Sequence, residues 1–170
     1  MIELKTPITE QDIAKLKVGD VVSISGYIYT GRDAVLPKIV HHAEVGTLED
    51  IGVNLQGQVI FHTAVSPAGV GPTSSNKLEI EGSFETLSHY GVKLHLGKGA
   101  IKKETVEALL RENAVFAIIP PVTALLGSKT SEIEIVAYPE LGMEALHRIK
   151  VDCYQVIIAA AQGKSIYEKD

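Results

Sequence analysis

The segment GDVVSISGYIYTG, residues 19–31, is the feature that most limits the folds open to this chain. Val22, Ile24, Gly26 and Ile28 fall on one side of it, and serine and tyrosine residues fall on the other. Because successive residues of an extended strand point to opposite faces, this alternation predicts a β-strand with one buried face. The fold therefore contains a sheet, and the rest of the chain must supply the other strands and the cover for them.

Strand and helix patterns both follow along the chain. Further strands are predicted in residues 57–64, 91–99, 114–120, 131–138, 144–160 and 164–167. Helices are predicted in residues 9–17 with Thr9 as N-cap, in residues 102–113, and, short or broken by Pro37, in residues 32–44. Residues 121–128 predict a short helix or turn. Without strict βαβ alternation, repeats or linkers, the chain is predicted to be one α/β domain spanning residues 1–170, with a mixed sheet and packed helices.

The composition argues against several classes of protein. The 170 residues carry a formal net charge of -5, which disfavours a nucleic-acid surface because such surfaces need a basic face. The longest apolar run, VIIAAA, is too short to cross a bilayer, and the first residues lack the apolar core of a signal peptide. We therefore expect a cytoplasmic protein that acts away from membranes.

The chain has one cysteine, Cys153. It can form no internal disulfide, and alone it cannot supply the several thiolates of a zinc site or the cysteine ligands of an iron–sulfur cluster. It lies in the apolar run KVDCYQVIIAAA, and we expect it to be a small buried side chain. The six histidines are scattered and form no ligand set, so no metal site within the chain is predicted.

Three loops that follow predicted strands carry positive charge and hydroxyl groups. They are TGRD at 30–33, GVGPTSSNK at 69–77, which is predicted to run into a helix from about Ser74, and GKG at 97–99. Arg32, Lys77 and Lys98 supply the charge, and a helix N-terminus would add free N–H groups. Because binding loops gather at strand ends in α/β folds, we predict that the three loops form one site for a phosphate or carboxylate.

Each loop, taken alone, is also typical of an ordinary surface turn or helix start with no ligand. A lysine between glycines is common in exposed turns, an Arg-Asp pair is common on surfaces, and GPTSS fits an ordinary helix N-cap. The sequence has no Walker pattern and no nucleophile elbow, so neither a nucleotide phosphate loop nor a serine hydrolase is indicated. The anion-site prediction depends on the three loops being brought together.

Taken in order, five segments resemble one enzyme family over nearly the whole chain. They are LKTPITEQDIAKLKVGDVVSISGYIYTGRDA, GQVIFHTA, GPTSSNKLE, LGKGAI and ELGMEALHRIKV. Together they are similar to the C-terminal region, or beta subunit, of the iron–sulfur class I hydro-lyases, which include class I fumarases and L-tartrate dehydratases.

The resemblance implies a swivelling β/β/α domain and the reversible removal of water from a hydroxy-dicarboxylate, with malate and fumarate as the expected pair. It also implies a four-iron four-sulfur cluster that is held by cysteines of a partner alpha subunit and not by this chain. The presence of a single cysteine in this chain agrees with a cluster held by the partner.

The resemblance also implies roles for particular residues. Thr73, in GPT, matches the threonine thought to act as catalytic base, and Arg32, in the RD motif, matches a substrate-binding arginine. Lys77 and Lys98 match basic residues that grip the substrate.

The chain departs from the family pattern at three places. Lys77 stands where arginine is usual, Leu36 stands where histidine is common, and Pro120-Pro121 replaces a glycine pair. Lysine keeps the charge but lacks the planar fork of arginine. These departures leave two alternatives to the fumarase reading: a dehydratase of L-tartrate or another hydroxy-diacid, and a catalytically silent anion-binding subunit.

Overall fold

The computed structural model describes residues 1–66, 69–70, 77–97, 100–119 and 129–166, with the side chains of residues 66, 69–70 and 77–81 outside that description. The strands are β1 (Ile2–Lys5), β2 (Val21–Thr30), β3 (Val59–Phe61), β4 (Val65–Ser66), β5 (Gly69–Val70), β6 (Leu94–Gly97), β7 (Val115–Ile118), β8 (Thr130–Ala137), β9 (Leu146–Ala161) and β10 (Lys164–Ser165). The helices are α1 (Glu10–Ala14), α2 (Leu36–Val45), α3 (Lys77–His89) and α4 (Lys103–Arg111), with 3-10 turns at Leu48–Ile51 and Pro139–Glu144.

Five of the strands close into a barrel. β2, β3, β6 and β7 run parallel in that order, and β9 runs antiparallel to β7 on one side and to β2 on the other. β9 has 16 residues, about three times the usual strand length. Its extra length lets it pair with β8 and β10 as well, so all four of these neighbours share one strand. The predicted mixed sheet is therefore confirmed.

The apolar residues divide between the inside and the outside of the barrel. The inward set fills the barrel and includes Val22, Ile24, Ile28, Val59, Phe61, Leu94, Leu96, Val115, Ala117, Ile149, Val151, Val156 and Ile158. A second cluster packs α2 against the outer face around Ile39, and a third packs α4 around Leu109. The prediction of helices packed on a sheet is confirmed, and the swivelling-domain name stays a prediction.

Helix α2 confirms the short helix that was one of the two predictions for residues 32–44, and the alternative, a break at Pro37, was wrong. Pro37 was expected to interrupt the segment, but α2 runs without a break through ten residues. Pro37 lies in the first turn, where the helix requires no N–H donor and the fixed φ of proline is favourable. Helix α1 begins as predicted, since Thr9 is the N-cap and forms a reciprocal capping box with Asp12, but it ends at Ala14 and not at residue 17.

Cys153 is exposed, so the expectation of a buried thiol was wrong. The register of β9 against β2 shifts here, and Asp152 and Cys153 together face the single residue Ser25. Cys153 has a φ of 56°, and its N–H donates to Ser25 Oγ at 2.9 Å. Because a β-bulge interrupts the alternation of a strand, a residue inside an apolar run is turned outward.

The loop that carries Arg32 depends on a close approach at Gly31. A Cβ there would lie 2.9 Å from Val35 Cγ1 and 3.0 Å from Leu36 Cδ2, and both of those side chains are buried. Only glycine lets the start of α2 pack this tightly against the end of β2.

We predict that Gly31→Ala lowers the free energy of unfolding by about 1–3 kcal/mol, because the added methyl group overpacks a filled space. The matched control is Gly82→Ala in α3, where a Cβ would meet nothing within 4 Å. That change should stabilise the chain by about 0.5–1 kcal/mol through helix propensity. Urea denaturation of both variants measures the difference, and equal effects would contradict the packing argument.

We also predict that Cys153 reacts with a thiol reagent such as DTNB in the folded chain, because its side chain is accessible. The measurement is the rate of labelling without denaturant, with Cys153→Ser as the unlabelled control. A thiol that labels only after unfolding would show that the bulge does not expose it.

Candidate functional site

The carboxyl ends of β2, β3, β6 and β7 lie level with one another, and we call this the carboxyl edge. Thr30 pairs with Phe61, Phe61 with Leu96, and Leu96 with Ala117. The backbone continues this alignment past the strands, since the Gly31 N–H donates to Phe61 O at 3.1 Å. Loops that follow these parallel strands therefore start at the same edge of the sheet. The TGRD loop lies there, and residues 98–99 of the GKG loop lie outside the described residues.

Arg32 is the predicted site residue whose side chain the structure describes. It lies two residues beyond β2, and its carbonyl accepts hydrogen bonds from the N–H groups of Val35 and Leu36 at 3.2 and 2.8 Å. Its Nε donates to Glu144 Oε1 at 2.9 Å, and Asp33 Oδ1 lies 3.9 Å from the same nitrogen. The Arg-Asp pair predicted from sequence is present, but Glu144, more than a hundred residues away, is the nearer partner.

The other predicted site residues fall largely outside the description. Thr73 and Lys98 lie outside the described residues. Lys77 is the first residue of α3, and its side chain is outside the description as well. The predicted start of a helix near Ser74 also falls on residues that are not described. Convergence of Thr73, Lys77 and Lys98 on Arg32 therefore stays a prediction.

A buried chain of three polar side chains lies between the sheet and α3. Ser88 Oγ is 2.8 Å from His95 Nε2, and His95 Nδ1 is 3.0 Å from His62 Nε2. Phe84 stacks on the His95 ring at 4.3 Å, and both histidines are completely buried. These hydrogen bonds connect the last turn of α3 with His62, the residue that directly follows β3 at the carboxyl edge.

His62 and His95, the two histidines of this hydrogen-bonded row, are both neutral. Burial holds the pKa of His62 well below its usual range, with the neighbouring His95 adding to that effect, and burial lowers the pKa of His95 to about 3. Two neutral tautomers of each ring satisfy the chain equally, with the protons directed either toward His62 or toward Ser88. His62 Nδ1 has no hydrogen-bond partner among the described residues, a state that costs about 1–3 kcal/mol.

The open end of the barrel at the carboxyl edge is also polar. Thr30 and His147 are directly paired across β2 and β9, and both are buried. Burial lowers the pKa of His147, an effect that its hydrogen bond to Ala145 O partly offsets. Thr63 is buried beside this end as well. The edge thus combines a partly exposed guanidinium with buried hydroxyls and neutral imidazoles, and the guanidinium is the group suited to binding an oxyanion.

Sequence reasoning did not find Glu144, His62, His95 or Ser88. The spacing of the histidines predicts no metal site, and it gives no sign that His62 and His95 are hydrogen-bonded to each other. The signal available was the alternation of β3 and β6, which places His62 and His95 on the helix-facing side of adjacent strands. Across the described ranges, no group of three or more histidine, cysteine, aspartate or glutamate residues could hold a metal ion, and no helix has the length and hydropathy to span a bilayer.

Comparison with known proteins gives consistent matches along the chain. The family described as the fumarase C-terminus matches residues 1–170. A provisionally named class I fumarate hydratase of Geobacillus stearothermophilus is 32% identical over 99% of the chain, and the chain spans 34% of that relative. A provisionally named L(+)-tartrate dehydratase subunit beta of Methanocaldococcus jannaschii is 31% identical over 95% of the chain and 89% of the relative. The L(+)-tartrate dehydratase subunit beta of Escherichia coli strain K12 is 34% identical over 82% of the chain and 72% of the relative.

The histidine chain predicts a specific loss of stability in acid. The folded pKa of His95 is about 3 and its ordinary value is 6.5, so between these values the unfolded chain binds a proton that the folded chain does not. The stabilisation is complete above pH 6.5 and is lost as the pH falls toward 3. The slope is up to about 1.4 kcal/mol per pH unit for each such histidine.

We expect His95→Gln to flatten the dependence of the free energy of unfolding on pH between 6.5 and 4, relative to the unchanged chain. Denaturant titrations at several pH values measure this slope, and comparison of slopes removes the contribution of the carboxylates. The matched control, His41→Gln on the exposed side of α2, should keep the original slope. An unchanged slope in His95→Gln would show that His95 titrates normally in the folded chain.

Proposed function

This chain belongs to the fumarase C-terminus family, and from that premise we propose that it is the beta-type half of a hydro-lyase that interconverts malate and fumarate. The observation that carries the proposal is the position of Arg32. The guanidinium lies at the carboxyl edge of the barrel, in the loop that the sequence assigns to an anion site. Arginine is suited to a carboxylate because its planar fork can donate two parallel hydrogen bonds.

The proposal includes a partner subunit. The chain spans about a third of the fumarate hydratase that it matches but most of two relatives named as beta subunits. A beta subunit by name implies an alpha subunit, and the longer relative carries further sequence in one polypeptide. We propose that this chain acts only together with such a partner.

Roles for the chain's own residues follow from the chemistry of a diacid. A substrate with two carboxylates needs two cationic contacts for a fixed orientation, and we assign these to Arg32 and to Lys77 or Lys98. Thr73 is proposed to remove the proton beside a carboxylate, and the neighbouring cations stabilise the charge that develops there. Placing these cations in an acidic chain makes the pocket attractive to anions against its surroundings.

The residues of this chain do not fit an iron–sulfur cluster. The sequence has one cysteine, and its Sγ lies on the outer face of β9 near Ser25 and Asp152. A cluster usually needs three or four cysteine ligands. We therefore assign the cluster to the partner subunit and derive no step through it.

L-tartrate is the second candidate substrate, or a related hydroxy-diacid. Two of the relatives are named tartrate dehydratase subunits, and they match the chain over most of their own length. Lys77 is consistent with a substrate other than malate. A lysine ammonium can donate to carboxylates in a wider range of orientations than the planar guanidinium of the arginine that is usual at this position.

The first test is anaerobic turnover of fumarate and of L-tartrate by the chain alone and mixed with a cluster-bearing alpha subunit. We expect turnover only in the mixture. The diacid with the higher kcat/KM identifies the preferred substrate. If neither diacid is turned over while the cluster is spectroscopically intact, the hydro-lyase proposal is wrong and the silent anion-binding subunit takes its place.

In that complex we predict that Thr73→Ala abolishes turnover without changing the melting temperature, because the sequence pattern GPTSS predicts a polar loop, where a hydroxyl contributes little to the core. Lys98→Ala should mainly raise KM, since it removes a cationic contact with the substrate. Lys15→Ala, at the exposed end of α1, is the matched charge control and should change neither constant. Near-normal turnover by Thr73→Ala would remove Thr73 as the base.

A further inference from the structure

The closest contact of the Arg32 guanidinium with a carboxylate among the described residues is with Glu144. The Nε to Oε1 distance is 2.9 Å, and the Asp33 carboxylate is 3.9 Å from the same nitrogen. The first distance is that of a charge-assisted hydrogen bond, and the second is beyond hydrogen-bond range. Both side chains are only 21% and 31% exposed, so this pair is screened less than a surface ion pair.

Glu144 is held in place by the fold and not by local sequence. It ends the 3-10 turn Pro139–Glu144, and the next residue, Ala145, is buried and donates its N–H to Gly142 O at 3.0 Å. Pairing of Thr30 with His147 then aligns the start of β9 with the end of β2. The Glu144 carboxylate therefore approaches Arg32 from the segment that enters β9, the strand paired directly with β2.

This contact has a consequence for how Arg32 can meet a ligand. A guanidinium is planar, so a bond at Nε fixes the plane and the direction of the two terminal nitrogens. We propose that Glu144 is a positioning residue that holds the Arg32 plane so that the terminal nitrogens contact the substrate carboxylate. This inference rests on the proposed function, since it assumes that Arg32 binds the diacid.

The carboxylates beside Arg32 also reduce the net positive charge near the guanidinium. Among the described residues, the carboxylates of Asp33 and Glu144 both lie within 4 Å of Arg32 Nε and offset its positive charge. The contact of Arg32 with a carboxylate therefore depends on the direction of its hydrogen bonds as well as on its charge. Orientation of the guanidinium is consequently the property that Glu144 should control.

The test is a double-mutant cycle in the complex with its cluster-bearing partner. The variants are Arg32→Ala, Glu144→Ala and both together, with the KM and kcat for the diacid that the complex turns over and with calorimetric binding of that diacid. We expect Glu144→Ala to raise KM about tenfold with little change in kcat, as for loss of one oriented ionic contact. In the Arg32→Ala background the same change should have no further effect.

Two more variants separate positioning from a structural role. Glu144→Gln keeps an acceptor at Oε1 and should restore most of the affinity that Glu144→Ala loses. Glu140→Ala, exposed in the same 3-10 turn, is the matched control and should behave as the unchanged chain. If Glu144→Ala proves too unstable to assay, the cycle is run with Glu144→Leu, which removes the acceptor but keeps most of the side-chain volume and should raise KM only when Arg32 is present.

The outcomes distinguish this inference from the proposed function. If Arg32→Ala leaves KM and binding unchanged, the assignment of Arg32 to the substrate fails, and the inference fails with it. If Arg32→Ala weakens binding but the Glu144 change has no effect, or has the same effect in both backgrounds, the proposed function stands and the positioning role is overturned.

Discussion

The pairing of β9 with β2 is the interaction on which the rest of the structure depends. β9 runs beside β2 from His147 to Ile157, and its later residues pair with β7. This double pairing turns an open parallel sheet into a closed barrel, which removes the exposed edges that β2 and β7 would otherwise present. It also creates the enclosed interior that holds the largest apolar cluster.

The same pairing builds the candidate site. Closure aligns Thr30 with His147, and through the turn before β9 it carries Glu144 to Arg32. The site therefore has two walls, one from the loops after the parallel strands and one from the segment that enters β9. A change that shifted β9 by one residue would turn its buried face outward and separate the two walls.

Polar groups are buried beside this end of the barrel, and burying a polar atom without a partner is unfavourable. The Ser88–His95–His62 chain satisfies all but one of the ring nitrogens of its histidines among the described residues, and burial keeps both rings neutral. Because both rings are neutral, they add no positive charge to that of Arg32 at the carboxyl edge. A core of leucine and valine at these positions would be more stable in acid, so the rings reduce the range of pH over which the fold is stable.

The sequence by itself determined the local elements and the loop that carries Arg32. The alternation of residues 19–31 predicted β2, Thr9 predicted the start of α1, and the position of TGRD after a strand predicted a cation at a strand end, because these features depend on near neighbours. Only the tertiary structure decided the closure of the barrel, the outward turn of Cys153 at a bulge, and the partners of Arg32 and His62. Each of these depends on the register between strands far apart in the chain, and a register is chosen by the packing of whole faces that no single segment contains.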